Sequence, residues 1–208
     1  MTLTNELASL FARADLVIAA DGGLSHCIAA HCWPEVLVGD LDSADPEQVA
    51  QAREAGAVVQ EFDENKDETD LELALAVAIE HRPDEIVVVG VFGGRVDHAL
   101  ANVALVADPR WPCAVSCADG ARDMWVLHGG STPTRTLHQA PGTQMTLLAW
   151  NGDAVGVVTK GLRWPLQSET LRAGSPRGVS NVCDEPLQQV SLQSGSLLII
   201  TAQSGLVL

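Results

Sequence analysis

The chain has 208 residues, 47% of them apolar, enough to bury a core without disulfide staples and to form one large domain or two modest ones. Its 27 Asp and Glu against 12 Lys and Arg give a net charge of −15. That balance argues against nucleic acid or an anionic membrane surface as a partner, because both attractions need positive charge facing phosphate.

From Asn5 to about Ala107, helical and strand patterns alternate. Glu6–Ala14 reads as a helix. Leu16–Ala20 is a short continuous apolar run that stops at Asp21-Gly22-Gly23, the pattern of a strand covered on both faces. Leu24–Ala30 follows as a helix, Val36–Val38 as a second strand, and Pro46–Ala55 as a helix closed by Gly56. Ala57–Gln60 is a weaker strand, Thr69–Glu80 a helix, Ile86–Val89 a strand and Asp97–Ala107 a helix. Strict alternation of this kind means βαβ units and a mostly parallel sheet. After Pro109 the texture changes to short apolar segments at Ala114–Cys117, Met124–Leu127, Met145–Ala149, Ala154–Val158, Gln189–Leu192 and Leu197–Ile200, separated by Gly, Pro, Asn and Ser. This spacing predicts an antiparallel sandwich or barrel. The expected organisation is a three-layer α/β domain over 1–115 followed by an all-β sandwich or barrel over 116–208.

Cys27, Cys32, Cys113, Cys117 and Cys183 are odd in number and contain no Cys-x-x-Cys pair. Buried thiols in a reducing compartment are expected rather than disulfides or zinc. Cys27 and His31 stand four apart and could share a helix face, although ordinary helix packing is the preferred role. No charged-then-apolar leader opens the sequence, and no apolar run approaches the roughly 20 residues that span a bilayer. The expected location is the cytoplasm.

Charge is distributed unevenly. Residues 1–100 carry 20 acidic and 5 basic side chains, whereas 101–208 carry 7 of each. Ligands of open parallel sheets bind beyond the carboxyl ends of the strands, and here those ends are acidic or glycine each time. They are Asp21-Gly22-Gly23, Gly39-Asp40-Leu41-Asp42-Ser43, the run from Asp63 to Asp70, and Gly90 to His98. Asp40 and Asp42, two apart, would point to one side of an extended backbone and could hold Mg²⁺, a cation that takes a few carboxylates and completes its shell with water and phosphate. A solvated turn is the competing explanation. Asp67, with Asp70 three residues later, resembles an N-cap and its acidic partner.

Gly93 and Gly94 could let backbone amides approach phosphate or form a tight turn. Arg95 could pair with an Asp or grip a phosphate, and Lys66, the one lysine of the first hundred residues, offers the same choice. Carboxylates crowded on one rim repel unless a cation joins them, which a metal-bound nucleotide would supply. That supports phosphoryl or diphosphoryl transfer; the Gly-x4-Gly-Lys-Ser/Thr phosphate loop is absent from the sequence. His98 and Asn102 are expected to cap or pack. Of the five tryptophans, Trp33, Trp111, Trp125 and Trp150 are expected as core or interface anchors, and Trp164 is the one placed to stack near a ligand.

Taken together, Ala20–Gly23, Val38–Ser43, Lys66–Asp70 with Glu72–Leu75, and Gly93–Asn102 resemble, in order and spacing, the thiamine pyrophosphokinase family. Gly161–Leu166, Glu169–Leu171 and Gly174–Asn181 are similar to that family's thiamine-side segment. The resemblance implies an N-terminal nucleotide domain, a C-terminal β domain and a homodimer with thiamine bound where subunits meet. It also implies transfer of diphosphate from ATP to the thiamine hydroxyl, with release of AMP. Carried over, Asp40, Asp42 and Asp70 would hold Mg²⁺ and serve catalysis with Asp97. Asp21, Gly22, Gly23, Lys66, Arg95 and Asp97 would face the nucleotide, and Ser180 and Asn181 the thiamine pyrimidine. On this reading Asp42→Asn abolishes turnover with the fold intact.

Two departures stand out. The family usually places a strand before the first helix, whereas here only Met1–Thr4 precede Asn5; either the sheet lacks one element beside the nucleotide site, or the sequence as given starts short of that strand. Pro176 stands where the family often has Ser, which removes a hydroxyl and a backbone donor. The alternatives are a diphosphotransferase acting on a pterin-like hydroxymethyl heterocycle, against which Gly178–Asn181 argues, and a sensor that binds ATP or thiamine without turnover.

Overall fold

The computed structural model describes residues 5–92, 95–120, 122–130 and 134–202. The chain divides into two compact units, Met1–Leu105 and Val106–Leu208, whereas the change of texture in the sequence places the division at 115/116. The strand at Ala114 belongs with the second unit because it pairs antiparallel with the strand that follows it.

The first unit is α/β. Its elements are α1 (Asn5–Arg13), β1 (Ile18–Ala20), a 3-10 turn at Asp21–Gly23, α2 (Leu24–Ala29), β2 (Val36–Gly39), α3 (Pro46–Glu54), β3 (Val58–Glu61), α4 (Asp70–Glu80), β4 (Glu85–Val89) and α5 (Val96–Val106). β1, β2 and β3 form a parallel sheet in that order, with Ile18 opposite Val36 and Val36 opposite Val58. All four residues of β2 are buried, as a central strand covered on both faces requires. Leu37, Ala19, Leu24 and Cys27 pack with Val49 and Ala52 of α3 on one side. Val36 and Val38 pack with Ala74 and Val77 of α4 on the other. The expected loss of a strand before α1 falls on residues 1–4, outside the described residues.

α4 begins one residue later than its apolar period predicts. Thr69, at φ −78° and ψ 157°, is the N-cap, and its Oγ1 accepts from Glu72 N–H at 3.2 Å. Asp67, expected in that place, is displaced from it, which leaves Asp70 in the first helical turn with its carboxylate available for other partners. Thr69→Ala is expected to cost about 1 kcal/mol of unfolding free energy, measured by urea titration.

The second unit is all-β: β5 (Ala114–Ala118), β6 (Arg122–His128), β7 (Thr134–Leu137), β8 (Gln144–Lys160), β9 (Gln167–Leu171), β10 (Asn181–Val182), β11 (Gln188–Ser191) and β12 (Ser194–Ala202). Neighbours run β5-β6-β12-β8-β11-β7, with β9 and β10 also pairing with β8. The sheet curls because β8 serves several partners in succession. Its first half pairs with β12, and Val158–Lys160 pair with β11. Met145–Ala149 and Ala154–Val158 read as separate segments, yet both belong to one 17-residue strand that kinks between them at Asn151-Gly152, with Asn151 at φ 53° and Gly152 at φ 137°. Leu127, Met145, Leu147, Val157, Leu197 and Ile199 pack into one buried apolar cluster. No helix among the described residues is long and apolar enough to cross a membrane.

Candidate functional site

The carboxyl ends of β1 and β2 lie side by side, since Ala20 is in register with Val38. The residues that follow therefore converge. One carboxylate oxygen from each of Asp21, Asp40 and Asp70 lies within 4.8 Å of the others. Asp21 arrives from the 3-10 turn after β1, Asp40 from the loop after β2, and Asp70 from the first turn of α4. Gly39 makes the convergence sterically feasible. At φ +144°, a Cβ there would stand 3.1 Å from both Asp21 Cβ and Asp70 Oδ1, so a side chain would occupy the space the carboxylates share. Ser43 N–H donates to Asp21 Oδ1 at 3.3 Å and ties the two loops together.

Asp42 is outside this group. Leu41 takes a positive φ of 63°, so the backbone between Asp40 and Asp42 is turned rather than extended, and the condition for both side chains to share a side is not met. Asp42 instead accepts from the Ser43 hydroxyl at 2.9 Å, while its own N–H donates to Asp40 Oδ1 at 3.2 Å. A left-handed leucine costs roughly 1–2 kcal/mol, and such strain is concentrated at functional loops.

The mutual repulsion of the three acids is met by Lys66. Its ammonium donates to Asp70 Oδ1 at 2.7 Å and lies 3.5 Å from Asp40 Oδ2, with the Lys66 side chain only 13% exposed. The Asp70 bond holds the Lys66 ammonium above its ordinary pKa. The Asp42 N–H, helped by Lys66, holds the Asp40 carboxyl below the usual carboxylate range. Its ionised form is therefore favoured from the ordinary carboxylate range upward and is lost only as pH falls below that range. The donors are all hard oxygens, the set that suits Mg²⁺ or Mn²⁺ rather than a soft metal.

Asp97 and Arg95 form a separate pair. Arg95 Nε and Nη2 reach the two Asp97 oxygens at 3.1 and 2.5 Å, and this two-point bond pulls the Asp97 carboxyl down to about 2. Asp97 Oδ1 also accepts from His98 N–H at 3.0 Å at the start of α5. Both partners are well exposed, so the pair contributes little stability. Gly93 and Gly94 lie outside the described residues. Gly22 has Ser43 against it, since a Cβ there would stand 3.5 Å from the Ser43 carbonyl oxygen, whereas a Cβ on Gly23 would meet open space.

The Cys27 and His31 pairing does not form a ligand set. α2 ends at Ala29 and His31 sits beyond it at φ 54°, so the two do not share a helix face. Burial raises the Cys27 thiol to about 12.

In the second unit, Trp164, Leu166 and residues 177–181 line a cleft of about 360 Å³. Trp164 is 53% exposed, with the Arg163 guanidinium 5.8 Å from its ring. Ser180, at φ 61°, is exposed and its N–H donates to Thr146 Oγ1 at 3.1 Å. Asn181 is 7% exposed and its amide is committed to main chain. Oδ1 accepts from Trp164 N–H at 3.2 Å and Val182 N–H at 2.8 Å, and Nδ2 donates to the Trp164 carbonyl at 2.7 Å. Arg177 Nη2 pairs with Glu169 at 3.0 Å, a contact the motifs do not signal. Pro176 costs no turn: its carbonyl accepts from Val179 N–H at 2.9 Å.

Residues 7–115 match the family model described as thiamin pyrophosphokinase, catalytic domain, and residues 136–198 match the model described as thiamin pyrophosphokinase, vitamin B1 binding domain. A thiamine pyrophosphokinase from Bacillus subtilis is 36% identical over 91 residues, 44% of this chain and 42% of that protein. Thiamine pyrophosphokinase 1 of Oryza sativa is 25% identical over 92% of this chain and 80% of its own length. The fold matches that of the crystallised B. subtilis enzyme with a TM-score of 0.83, at 24% identity over 95% of this chain and 92% of that one. The Candida albicans thiamin pyrophosphokinase superposes with a TM-score of 0.81 at 14% identity, over 98% of this chain and 86% of that one. With its first family model covering more than half of its length and the second following in chain order, the chain belongs to the thiamin pyrophosphokinase family.

Proposed function

We propose that the protein transfers a diphosphate from ATP to the hydroxyl of thiamine, releasing AMP. The observation that carries this reading is the convergence of Asp21, Asp40 and Asp70 around Lys66 at the carboxyl edge of a parallel sheet, in the part of the chain that matches the catalytic-domain model. In the proposed reaction the thiamine oxygen bonds to the β-phosphorus as its hydroxyl proton is released, the bond from that phosphorus to the α–β bridging oxygen breaks, and AMP leaves with the bridging oxygen.

Asp21, Asp40 and Asp70 are the proposed holders of Mg²⁺, and the three-oxygen donor set fits it. When bound, the cation supplies charge neutralisation and polarises phosphoryl oxygens. Asp42, just outside the group, is proposed to act on the cation's water shell. Lys66 and Arg95 are the proposed cationic partners of the polyphosphate, Arg95 being oriented by Asp97, and Gly22 lets the first loop lie close to Ser43. The cleft walled by Trp164 and residues 177–181 is the proposed thiamine side, with the Trp164 ring as a stacking surface and Ser180 as a polar contact. Asn181 positions Trp164.

A homodimer belongs to this reading, and the exposure of Trp164 and Val179 at the cleft, 53% and 45%, supports a second surface that covers them. Five free cysteines support a reducing, cytoplasmic setting. No observation favours the pterin-directed or the sensor alternative.

Purified protein with ATP, Mg²⁺ and thiamine is expected to form AMP in proportion to thiamine, and excess EDTA is expected to stop it. AMP formation that ignores thiamine, or ATP and thiamine binding with no AMP, would overturn the assignment.

A further inference from the structure

The Lys66 ammonium and a divalent cation cannot both hold the same carboxylates. In the structure Lys66 donates to Asp70 at 2.7 Å and lies 3.5 Å from Asp40, with the three side chains 13%, 26% and 16% exposed. It thus occupies two of the three acids of the group and satisfies charge that a metal would otherwise satisfy. The loop carrying it is otherwise acidic, with Asp63, Glu64, Asp67 and Glu68 all exposed. Lys66 turns away from these neighbours in sequence and toward the two acids of the group.

We propose that Lys66 is a placeholder cation that couples metal loading to nucleotide loading. It neutralises Asp40 and Asp70 in the empty site, and it exchanges them for the nucleotide's polyphosphate when a cation takes its place. The inference rests on the metal assignment proposed above.

The physical consequence is a linkage between two ligands. A bare divalent cation must displace the ammonium and leave it facing like charge, so it binds weakly. A cation arriving with polyphosphate brings the displaced ammonium a new anionic partner, so the two bind together more tightly than either alone. The exchange involves no change in protonation, because Lys66 stays charged in both states.

The test is Mn²⁺ binding, followed by the paramagnetic signal of free Mn²⁺, to protein without nucleotide and with a non-hydrolysable ATP analogue. Lys66→Met is expected to bind bare Mn²⁺ about tenfold more tightly than the unmodified protein, since a unit charge a few ångströms away is removed at intermediate dielectric. The same variant is expected to lose most of the gain that the analogue brings. Lys66→Arg, which keeps the charge, is expected to stay near the unmodified values and serves as the control for loop integrity.

Equal or weaker bare-Mn²⁺ binding by Lys66→Met, while Asp70→Asn abolishes binding in the same assay, would overturn the coupling and leave the metal site standing. No Mn²⁺ binding by any form, with or without the analogue, would overturn the metal assignment and the coupling with it.

Discussion

Asp70→Asn is expected to reduce thiamine-dependent AMP formation by at least about a thousandfold, because it removes one of three charged donors where a cation would contribute several kcal/mol of transition-state stabilisation. Fold and stability are expected to change little. Asparagine is nearly isosteric, so the spacing to Gly39 is kept. The helix retains its Thr69 cap, whose oxygen accepts from Glu72 rather than from Asp70. The lost ion pair with Lys66 is partly exposed, and pairs of that kind are worth about 0–1 kcal/mol. Relief of repulsion among Asp21, Asp40 and Asp70 works in the opposite direction.

The informative comparison is Asp42→Asn. Asp42 lies outside the three-carboxylate group and accepts from Ser43, so its loss is expected to cost about 10–100-fold, the usual effect of a group one shell out. Both rates come from the same AMP assay, with circular dichroism and thermal unfolding checking the fold. Activity within tenfold of normal in Asp70→Asn would remove that residue from the site. A loss at Asp42 equal to that at Asp70 would mean that the loop turns at Leu41 when substrates bind.

Alternation of apolar runs with helical periods locates every element of the first unit, because β2 is buried on both faces and α3 and α4 cover it. The acids at the strand ends are legible in the sequence for the same reason, since parallel strands deliver their carboxyl ends to one edge. Which acids meet is not legible. It depends on Leu41 adopting a left-handed φ, which leucine does not advertise, and on Thr69 taking the cap that Asp67-x-x-Asp70 mimics.

In the second unit β8 reads as two segments, Met145–Ala149 and Ala154–Val158, because the Asn151-Gly152 dipeptide interrupts the apolar pattern. Pairing with β12, β11 and β9 overrides the interruption and makes the dipeptide a kink. β7 and β9 give no apolar signal because Thr134–Leu137 and Gln167–Leu171 are polar, edge-like sequences with a single buried leucine each. Asn181 stands out in the sequence as a candidate, but its role does not, because sequence cannot tell an amide that meets a ligand from one that meets main chain.

Asn181 holds the wall of the cleft through main chain. The segment from Leu162 to Leu166 has little regular structure and is held by straps. Arg163 N–H donates to the Val182 carbonyl at 2.9 Å, Leu166 N–H to Thr159 Oγ1 at 2.8 Å, and both main-chain groups of Trp164 bond to the Asn181 amide. Asn181→Ala leaves Trp164 N–H, its carbonyl and Val182 N–H without that partner. With about 1–3 kcal/mol for each buried group that stays unpaired, and with water reaching some of them beside the cleft, a loss of about 2–4 kcal/mol is expected.

Trp164 should then lose its fixed position, seen as a change in tryptophan emission, and the KM for thiamine should rise far more than kcat falls. Asn181→Asp sharpens the point. It keeps an acceptor for the Trp164 and Val182 N–H groups but sets a carboxylate oxygen against the Trp164 carbonyl where Nδ2 donates at 2.7 Å. It should therefore also destabilise, which a purely ligand-facing amide would not require. An Asn181→Ala protein that unfolds at the normal denaturant midpoint and loses only thiamine affinity would assign the amide to the substrate instead of to Trp164.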